Sequence, residues 1–301
     1  VQVDGLPTEL IGVVLPGHSP DHLASSSNCW IPRVQDPGSG PEVPYPKQLV
    51  PLAAIRVVLG QRADLIGVRD RIVRWFWCGI LGELYGGSIE SRFARDIEQM
   101  PDWALDPDSN PAPRTVVDAT FVESRLLSLR TRNAAAYKGI AALVLAQGAR
   151  DWMEDKALDK VQYTDLAVDI HHVFPQKWCN DHGIEDQYRE SIVNKTAIGA
   201  KTNRTIGGVA PSQYLKLIER NAQIDPSRLD SLLTSHCIDP LQLREDAFEA
   251  FFDARRDSLC ALIEQAMGKA VQRDLTAGTP TEDSSFFEPE SLREDQSDGE
   301  A

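Results

Sequence analysis

The sequence lacks several features that mark whole classes of protein. No uninterrupted apolar run approaches the roughly 18 residues that a transmembrane helix requires. No basic segment followed by an apolar stretch opens the chain, so no signal peptide is expected, and no internal repeat is found. We therefore expect a cytoplasmic protein that has no membrane partner.

Cysteine is scarce and has no clustered metal-binding spacing. The 301 residues include 5 cysteines, none of them in a Cys-x-x-Cys pair. Scattered thiols in odd number are typical of a reducing compartment, where most of them are buried and inert. Cys179 and His182 could form a structural zinc site together with His171 or His172. That alternative gives no role to two asparagines discussed below.

Positive charge is also in short supply. The chain has 31 Lys and Arg against 45 Asp and Glu, a net charge of −14, which argues superficially against a nucleic-acid partner. Half of that net charge lies in residues 272–301, whose composition predicts a disordered acidic tail. Residues 171–220 instead carry a small basic excess, which suits a polyanionic partner.

Composition and periodicity divide the chain into four segments. Residues 1–46 are rich in Pro, Gly, Ser and Asp and predict an irregular linker or the end of a preceding domain. Residues 47–155 have the periodicity of an all-α domain. Residues 156–270 combine a β-type run with flanking helices, and residues 271–301 form the acidic tail. The predicted fold class is therefore mainly α with a small β element, that is α+β.

Local patterns predict individual elements within these segments. Helices are predicted over 48–59, 62–85, 88–98, 117–130, 133–147, 176–181, 185–191, 200–205, 211–221, 226–235 and 246–267. A strand is predicted over 166–170, with shorter strand pieces at 192–193 and 197–198. Pro101 is expected to end the third helix. The rings of Trp75, Phe76 and Trp77 would cover most of a helix surface, so we expect them in the core rather than on a stacking surface.

Residues 169–176 contain the strongest candidates for catalytic and metal-binding residues. His171 and His172 stand at the end of the β-type run, and Asn194 and Asn203 follow. Phosphodiester hydrolysis needs a base for water and a cation for the phosphate charge. Histidine suits the base, and an amide oxygen suits a hard cation. Neighbouring strand residues point to opposite faces, so the two histidines can share a site only if the chain turns there.

These residues resemble a known family. Residues 169–176, with 193–198 and 201–203, are similar to the HNH nucleases, also called ββα-metal or His-Me finger nucleases. They resemble more closely the C-terminal nuclease domain of GmrSD-type modification-dependent (type IV) restriction endonucleases. The similarity extends over 47–221 and is specific within 169–203. It implies a small ββα-metal motif and a metal-dependent DNA endonuclease with a one-metal mechanism, which acts in restriction or antiviral defence.

The resemblance also implies roles for individual residues. His172 would be the general base, and Asn194 would hold the ββα loop and orient His172. His171 and Asn203 would bind the catalytic ion, which is Mg²⁺ by the resemblance. Because a neutral imidazole binds Mg²⁺ weakly, Mn²⁺ or another transition metal is the alternative. Asp169 would support the metal ligands or simply be a polar residue on the outer face of the strand. Contacts to DNA phosphates would come from Lys177, Lys195, Lys201 and Arg204.

The same resemblance predicts that the nuclease domain works with a second domain of the same polypeptide. Relatives carry an N-terminal nucleotide-dependent sensor domain, and its motif is not found in this sequence. Since the chain starts at Val1, we expect that domain upstream in a longer protein. A non-catalytic DNA-binding or scaffold module with a decayed nuclease fold is the alternative function. All the expected polar positions are occupied, which argues against decay.

Overall fold

A computed structural model describes residues 44–87, 89–158 and 169–274, except for the side chain of Asp169. Several predicted features therefore lie outside the described residues. These are nearly all of the linker 1–46, the helix start at Ser88, the first part of the strand 166–170, and the acidic tail beyond residue 274.

Helices dominate the described part of the chain, and two short strands interrupt them. The α-helices and strands are, in order, α1 Leu49–Leu59, α2 Ile66–Leu81, α3 Ile89–Leu105, α4 Arg114–Asp118, α5 Arg125–Ser128, α6 Ala135–Ala146, β1 Asp169–His172, α7 Gln176–Asp181, α8 Asp186–Arg189, β2 Lys195–Ile198, α9 Ala200–Ile206, α10 Pro211–Ala222, α11 Pro226–Thr234, α12 Pro240–Arg244 and α13 Phe248–Met267. Short 3₁₀ turns lie at Pro46–Gln48, Gly60–Asp64 and Ile192–Asn194. The protein is thus mainly helical with a two-stranded antiparallel sheet, which agrees with the predicted class.

Most helix predictions are confirmed to within a few residues. Apolar periodicity predicts α1, α6 and α13, and proline at the first turn predicts the start of α10 and α11. The helix predicted over 62–85 is shorter in the structure, because a 3₁₀ turn and an extended Leu65 precede α2. Helix α12 is an element that the sequence pattern does not predict.

The prediction that Pro101 ends the third helix is wrong. Helix α3 continues through Pro101 as far as Leu105. A proline inside a helix removes one hydrogen bond and costs about 3 kcal/mol. Here Pro101 is itself buried, together with Met100, Trp103 and Ala104, so the last turn contributes to the core. Burial of this face offsets the cost of the proline.

The prediction of a single helix over 117–130 is also wrong. Two short helices, α4 and α5, replace it, and the chain between them pairs with the C-terminal segment. Val122 forms a parallel bridge with Gln272. The backbone N–H of Glu123 donates to the carbonyl of Gln272, and the N–H of Gln272 donates to that of Phe121, each at 2.9 Å. Pairing with a segment distant in the sequence therefore overrides the local helical pattern.

The strand predictions are partly right. The run predicted to stop at Ile170 continues as β1 through both histidines. Residues 192–193 are predicted as a strand but belong to a 3₁₀ turn, and β2 begins directly after it.

A hydrophobic core joins the two halves of the described chain. One cluster of buried side chains runs from Leu49 to Val271, so it includes residues from both sides of the predicted boundary at 155. That boundary stays a prediction. Trp75, Phe76 and Trp77 are all buried, which confirms their assignment to the core.

Membrane-spanning helices are not found in the described ranges. None of the helices there is both long enough and apolar enough to cross a bilayer.

Candidate active site

The two strands form an antiparallel ribbon that carries both histidines. His171 lies opposite Thr196, and His172 lies opposite Lys195. Directly opposite residues of such a pair share a face, and successive residues alternate. His171 therefore faces the side that bears Thr196, whereas His172 faces the side that bears Lys195. Regular pairing continues through His172, so the chain does not turn between the two histidines, and the expected turn comes only after both.

Asn194 holds the turn that follows β1. Its side chain is fully buried. The amide oxygen accepts from Phe174 N at 2.8 Å, while the amide nitrogen donates to the carbonyls of Phe174 and Arg189, both at 3.0 Å. The Asn194 carbonyl also accepts from Val173 N at 2.8 Å. These bonds fix the loop directly after His172, and the orientation of His172 by Asn194 stays a prediction.

Two further side chains bond to the same loop. The hydroxyl of Tyr214, which is buried on α10, donates to the Val173 carbonyl at 3.0 Å. The thiol of Cys179 donates to the Phe174 carbonyl at 3.5 Å. Burial raises the pKa of Cys179 to about 12, so it stays a protonated thiol. Hydrogen bonds from three side chains therefore hold the backbone of this loop against the 3₁₀ turn before β2, against α7 and against α10.

A buried arginine supports the other strand. Arg255 of α13 is 2% exposed, and its guanidinium donates to the carbonyls of Val193 at 2.6 Å and Lys195 at 2.8 Å. Burial lowers the pKa of Arg255 to about 10, which still leaves it charged at neutral pH. The long C-terminal helix thus anchors the chain on both sides of Asn194. No local pattern around Arg255 predicts this role.

Helix α9 is fixed at its first turn by Asp151. This buried carboxylate accepts from Gly199 N at 2.8 Å and from the Thr202 hydroxyl at 2.8 Å. Asn203, the next residue, is half-buried. Asp151 lies 51 residues before Thr202, which explains why sequence reasoning missed it.

The buried His236 connects the ribbon with the segment around Asp151. The hydroxyl of Thr196 lies 2.8 Å from Nδ1 of His236, and Nε2 of His236 lies 2.8 Å from the Arg150 carbonyl. The ring of Trp152 packs edge-on against His236, with 5.6 Å between the ring centres. Thr196 lies opposite His171, so His236 links the ribbon to the backbone of Arg150, the residue before Asp151. Burial lowers the pKa of His236 to about 4.

His172 has a carboxylate partner that the sequence did not reveal. Its Nε2 lies 3.1 Å from an oxygen of Glu190, and both side chains are about one-fifth exposed. Burial lowers the pKa of His172, against the opposing effect of Glu190, so the ring is neutral at pH 7. Despite its partial burial, Glu190 has a pKa of about 2, because Gln176, Arg189 and Lys195 donate to it. No sequence spacing links Glu190 to His172.

The residues predicted to contact DNA fall into two groups. Lys177, Lys201 and Arg204 are exposed. Lys195 differs, because its side chain is 10% exposed and its ammonium bonds to the Arg130 carbonyl at 2.8 Å and to Glu190 at 3.1 Å. Its charge therefore acts inside the site, on the Glu190 carboxylate, rather than on the surface.

The zinc alternative finds little support in this geometry. Cys179 is a fully buried thiol with a raised pKa, whereas His182 is exposed and stacks on the ring of Trp178, with 3.9 Å between the ring centres. Nδ1 of His182 also lies 2.8 Å from the Trp178 carbonyl. Across the described residues, no group of three or more His, Cys, Asp or Glu side chains could hold an ion.

Comparison with known proteins adds one distant relative. The chain is 28% identical over 151 residues to the uncharacterized protein MJ0686 of Methanocaldococcus jannaschii. The match covers 49% of this chain and 25% of that protein, so the chain spans about a quarter of its relative. No protein-family model matches the chain, and no solved structure does. The assignment of function therefore depends on the site itself.

Proposed function

We propose that this protein is a metal-dependent DNA endonuclease that hydrolyses phosphodiester bonds at the end of β1. One observation carries the proposal. An antiparallel ribbon bears His171 and His172, its loop is clamped by the buried Asn194, and a helix bearing Asn203 follows the second strand directly. Strand, strand and helix thus occur in the order of a ββα-metal nuclease, with a polar residue at each position that the resemblance predicts.

In the proposed reaction His172 is the general base. Its neutral ring takes a proton from water, and the water oxygen forms a bond to phosphorus. The bond between phosphorus and the leaving oxygen breaks, its electron pair stays on that oxygen, and solvent supplies a proton. The products are a phosphate monoester and a free hydroxyl. His172 then returns its proton to solvent.

The donor set decides which ion fits best. In the proposal His171 supplies an imidazole nitrogen from β1, and Asn203 supplies an amide oxygen from α9. Two neutral ligands are a weak set for Mg²⁺, which prefers oxygen, and a better set for Mn²⁺ or a later transition ion. When bound, such an ion would neutralise charge on the phosphate and on the leaving oxygen. We propose Mg²⁺ or Mn²⁺, with stronger activity in Mn²⁺.

Substrate contacts in the proposal come from exposed cations. Lys177 and Lys201 have side chains that are 71% and 60% exposed, and Arg204 is exposed on the same helix as Asn203. Gly208, just after that helix, packs against the Lys177 side chain, since a Cβ there would lie 3.3 Å from it. Lys201 and Arg204 thus share a helix with Asn203, Lys177 lies near the residues that follow that helix, and exposed cations suit a phosphate backbone.

The biological setting follows from the resemblance. A nuclease of this kind would serve as the cleaving part of a restriction or phage-defence protein. Target recognition would then come from a nucleotide-dependent sensor domain of the same polypeptide, upstream of the described residues.

Cleavage of supercoiled plasmid tests the proposal against its rivals. We expect purified protein to nick plasmid in Mg²⁺, Mn²⁺ or Ni²⁺ and to stop when EDTA is added. Binding without cleavage in all three ions would favour the non-catalytic module. One tightly held Zn²⁺ per chain, absent from Cys179→Ala, would favour the zinc alternative.

A further inference from the structure

The carboxylate of Glu190 is held from several directions. One oxygen accepts from Nε2 of Gln176 at 2.7 Å and from Nε of Arg189 at 3.0 Å. The other lies 3.1 Å from Nζ of Lys195 and 3.1 Å from Nε2 of His172. Gln176 begins α7, Arg189 ends α8 and Lys195 begins β2, so three separate elements orient the carboxylate. Its direction is therefore set without any contribution from His172.

A pre-oriented carboxylate determines which ring nitrogen of His172 carries hydrogen. A carboxylate can only accept, so the nitrogen that faces it must be the protonated one. Nε2 faces Glu190, which leaves the lone pair on Nδ1. The charged groups around this pair are Glu190, Lys195 and Arg189, and the two cations offset the anion. Glu190 thus contributes to His172 both a negative charge and a hydrogen-bond acceptor of fixed direction.

We propose that Glu190 is the positioning residue of His172. It holds the imidazole as the Nε2–H tautomer, so that Nδ1 is the atom that accepts the proton of the attacking water. The role in catalysis rests on the proposed nuclease activity, whereas the tautomer itself does not. Histidine bases in other enzymes depend on such an orienting partner in the same way.

Nitrogen NMR of the whole protein tests the tautomer without substrate. We would record long-range ¹H–¹⁵N spectra of histidine-labelled protein at pH 8, where His172 is neutral, and assign its signals with His172→Gln. We expect the wild-type spectrum to show a protonated Nε2 and a bare Nδ1. A wild-type ring with hydrogen on Nδ1 would overturn the proposal, and the tautomer is read from the wild-type protein, with His172→Gln serving only to assign the signals.

The variant Glu190→Ala provides the second arm, with Glu185→Ala as a matched control on the exposed surface. Loss of the tautomer preference in Glu190→Ala, with the other histidine signals unchanged, supports the proposal. A preference that survives unchanged would contradict it. In cleavage assays we expect kcat to fall about ten- to a hundred-fold in Glu190→Ala, with little change in KM. If wild-type protein cleaves nothing, the proposed function fails while the spectra still decide the tautomer.

Discussion

The amide of Asn194 forms a two-way bond with the backbone of Phe174, twenty residues earlier in the chain. Its oxygen accepts from Phe174 N at 2.8 Å, and its nitrogen donates to Phe174 O at 3.0 Å. Only the side-chain amides of asparagine and glutamine combine a carbonyl acceptor with an N–H donor in this way. The residue before β2 is thus bonded to the loop that follows β1. The segment between the two strands is closed at a point next to His172.

Asn194→Ala should therefore destabilise the protein strongly. The change removes the side-chain partner of Phe174 N and of Arg189 O, and it leaves Phe174 O with only the weaker thiol donor of Cys179. Each such group costs about 1–3 kcal/mol when it is left unsatisfied, and partial access of water reduces the sum, so we expect destabilisation by about 3 kcal/mol. Urea unfolding followed by circular dichroism measures this free energy.

Asn221→Ala is the control for that experiment. Asn221 is exposed on α10, so the same substitution there should change the free energy of unfolding very little. Equal effects at the two positions would show that the bonds of Asn194 contribute nothing to stability.

The stability of the protein should fall in mild acid because of His236. Burial lowers its folded-state pKa to about 4 from an ordinary value of 6.5. As the pH falls below 6.5, His236 becomes protonated in the unfolded chain but stays neutral in the folded protein. The free energy of unfolding therefore declines until about pH 4. The full decrease in the free energy of unfolding is roughly 3 kcal/mol.

Thermal unfolding between pH 7.5 and 4 measures this decrease, with His236→Gln as the comparison. The variant cannot titrate at this position, so its stability should vary less with pH over the window than that of the wild type. Parallel curves for the two proteins would rule out His236 as the source.

Salt dependence should reveal which cations contact DNA. Replacing Lys201 or Arg204 with Gln should weaken DNA binding and lower the slope of log K against log salt by about 1 for each phosphate contact that is removed. Lys216→Gln, a change at another exposed position, on α10, should leave that slope unchanged. Fluorescence anisotropy with a labelled duplex in EDTA measures both. If the Lys201 and Arg204 variants have the same slope of log K against log salt as the wild type, the proposed DNA surface is wrong.

Sequence patterns predict the elements whose signals are local. Helices α6 and α13 have long apolar periodicity, and α10 starts at a proline, so none of the three requires knowledge of the fold. The failures have long-range causes. Val122 pairs with Gln272 and Pro101 packs into the core, and neither contact leaves a mark in the neighbouring sequence.

The candidate site divides in the same way. His171, His172 and the two asparagines can be selected from residue type and order alone. Glu190 cannot, because its partners come from α7, α8 and β2 and meet only in the folded chain. The charge of Lys195 predicts a surface position, but its place opposite His172 turns it toward Glu190.

The central claim is that His172 is the base of a metal-dependent nuclease, and single-turnover cleavage of plasmid DNA in Mn²⁺ tests it most directly. We predict that His172→Ala slows cleavage by at least about a hundred-fold. His182→Ala, which changes an exposed histidine of the same segment, should cleave close to the wild-type rate. Wild-type cleavage by His172→Ala, or an equal decrease in both variants, would contradict the account.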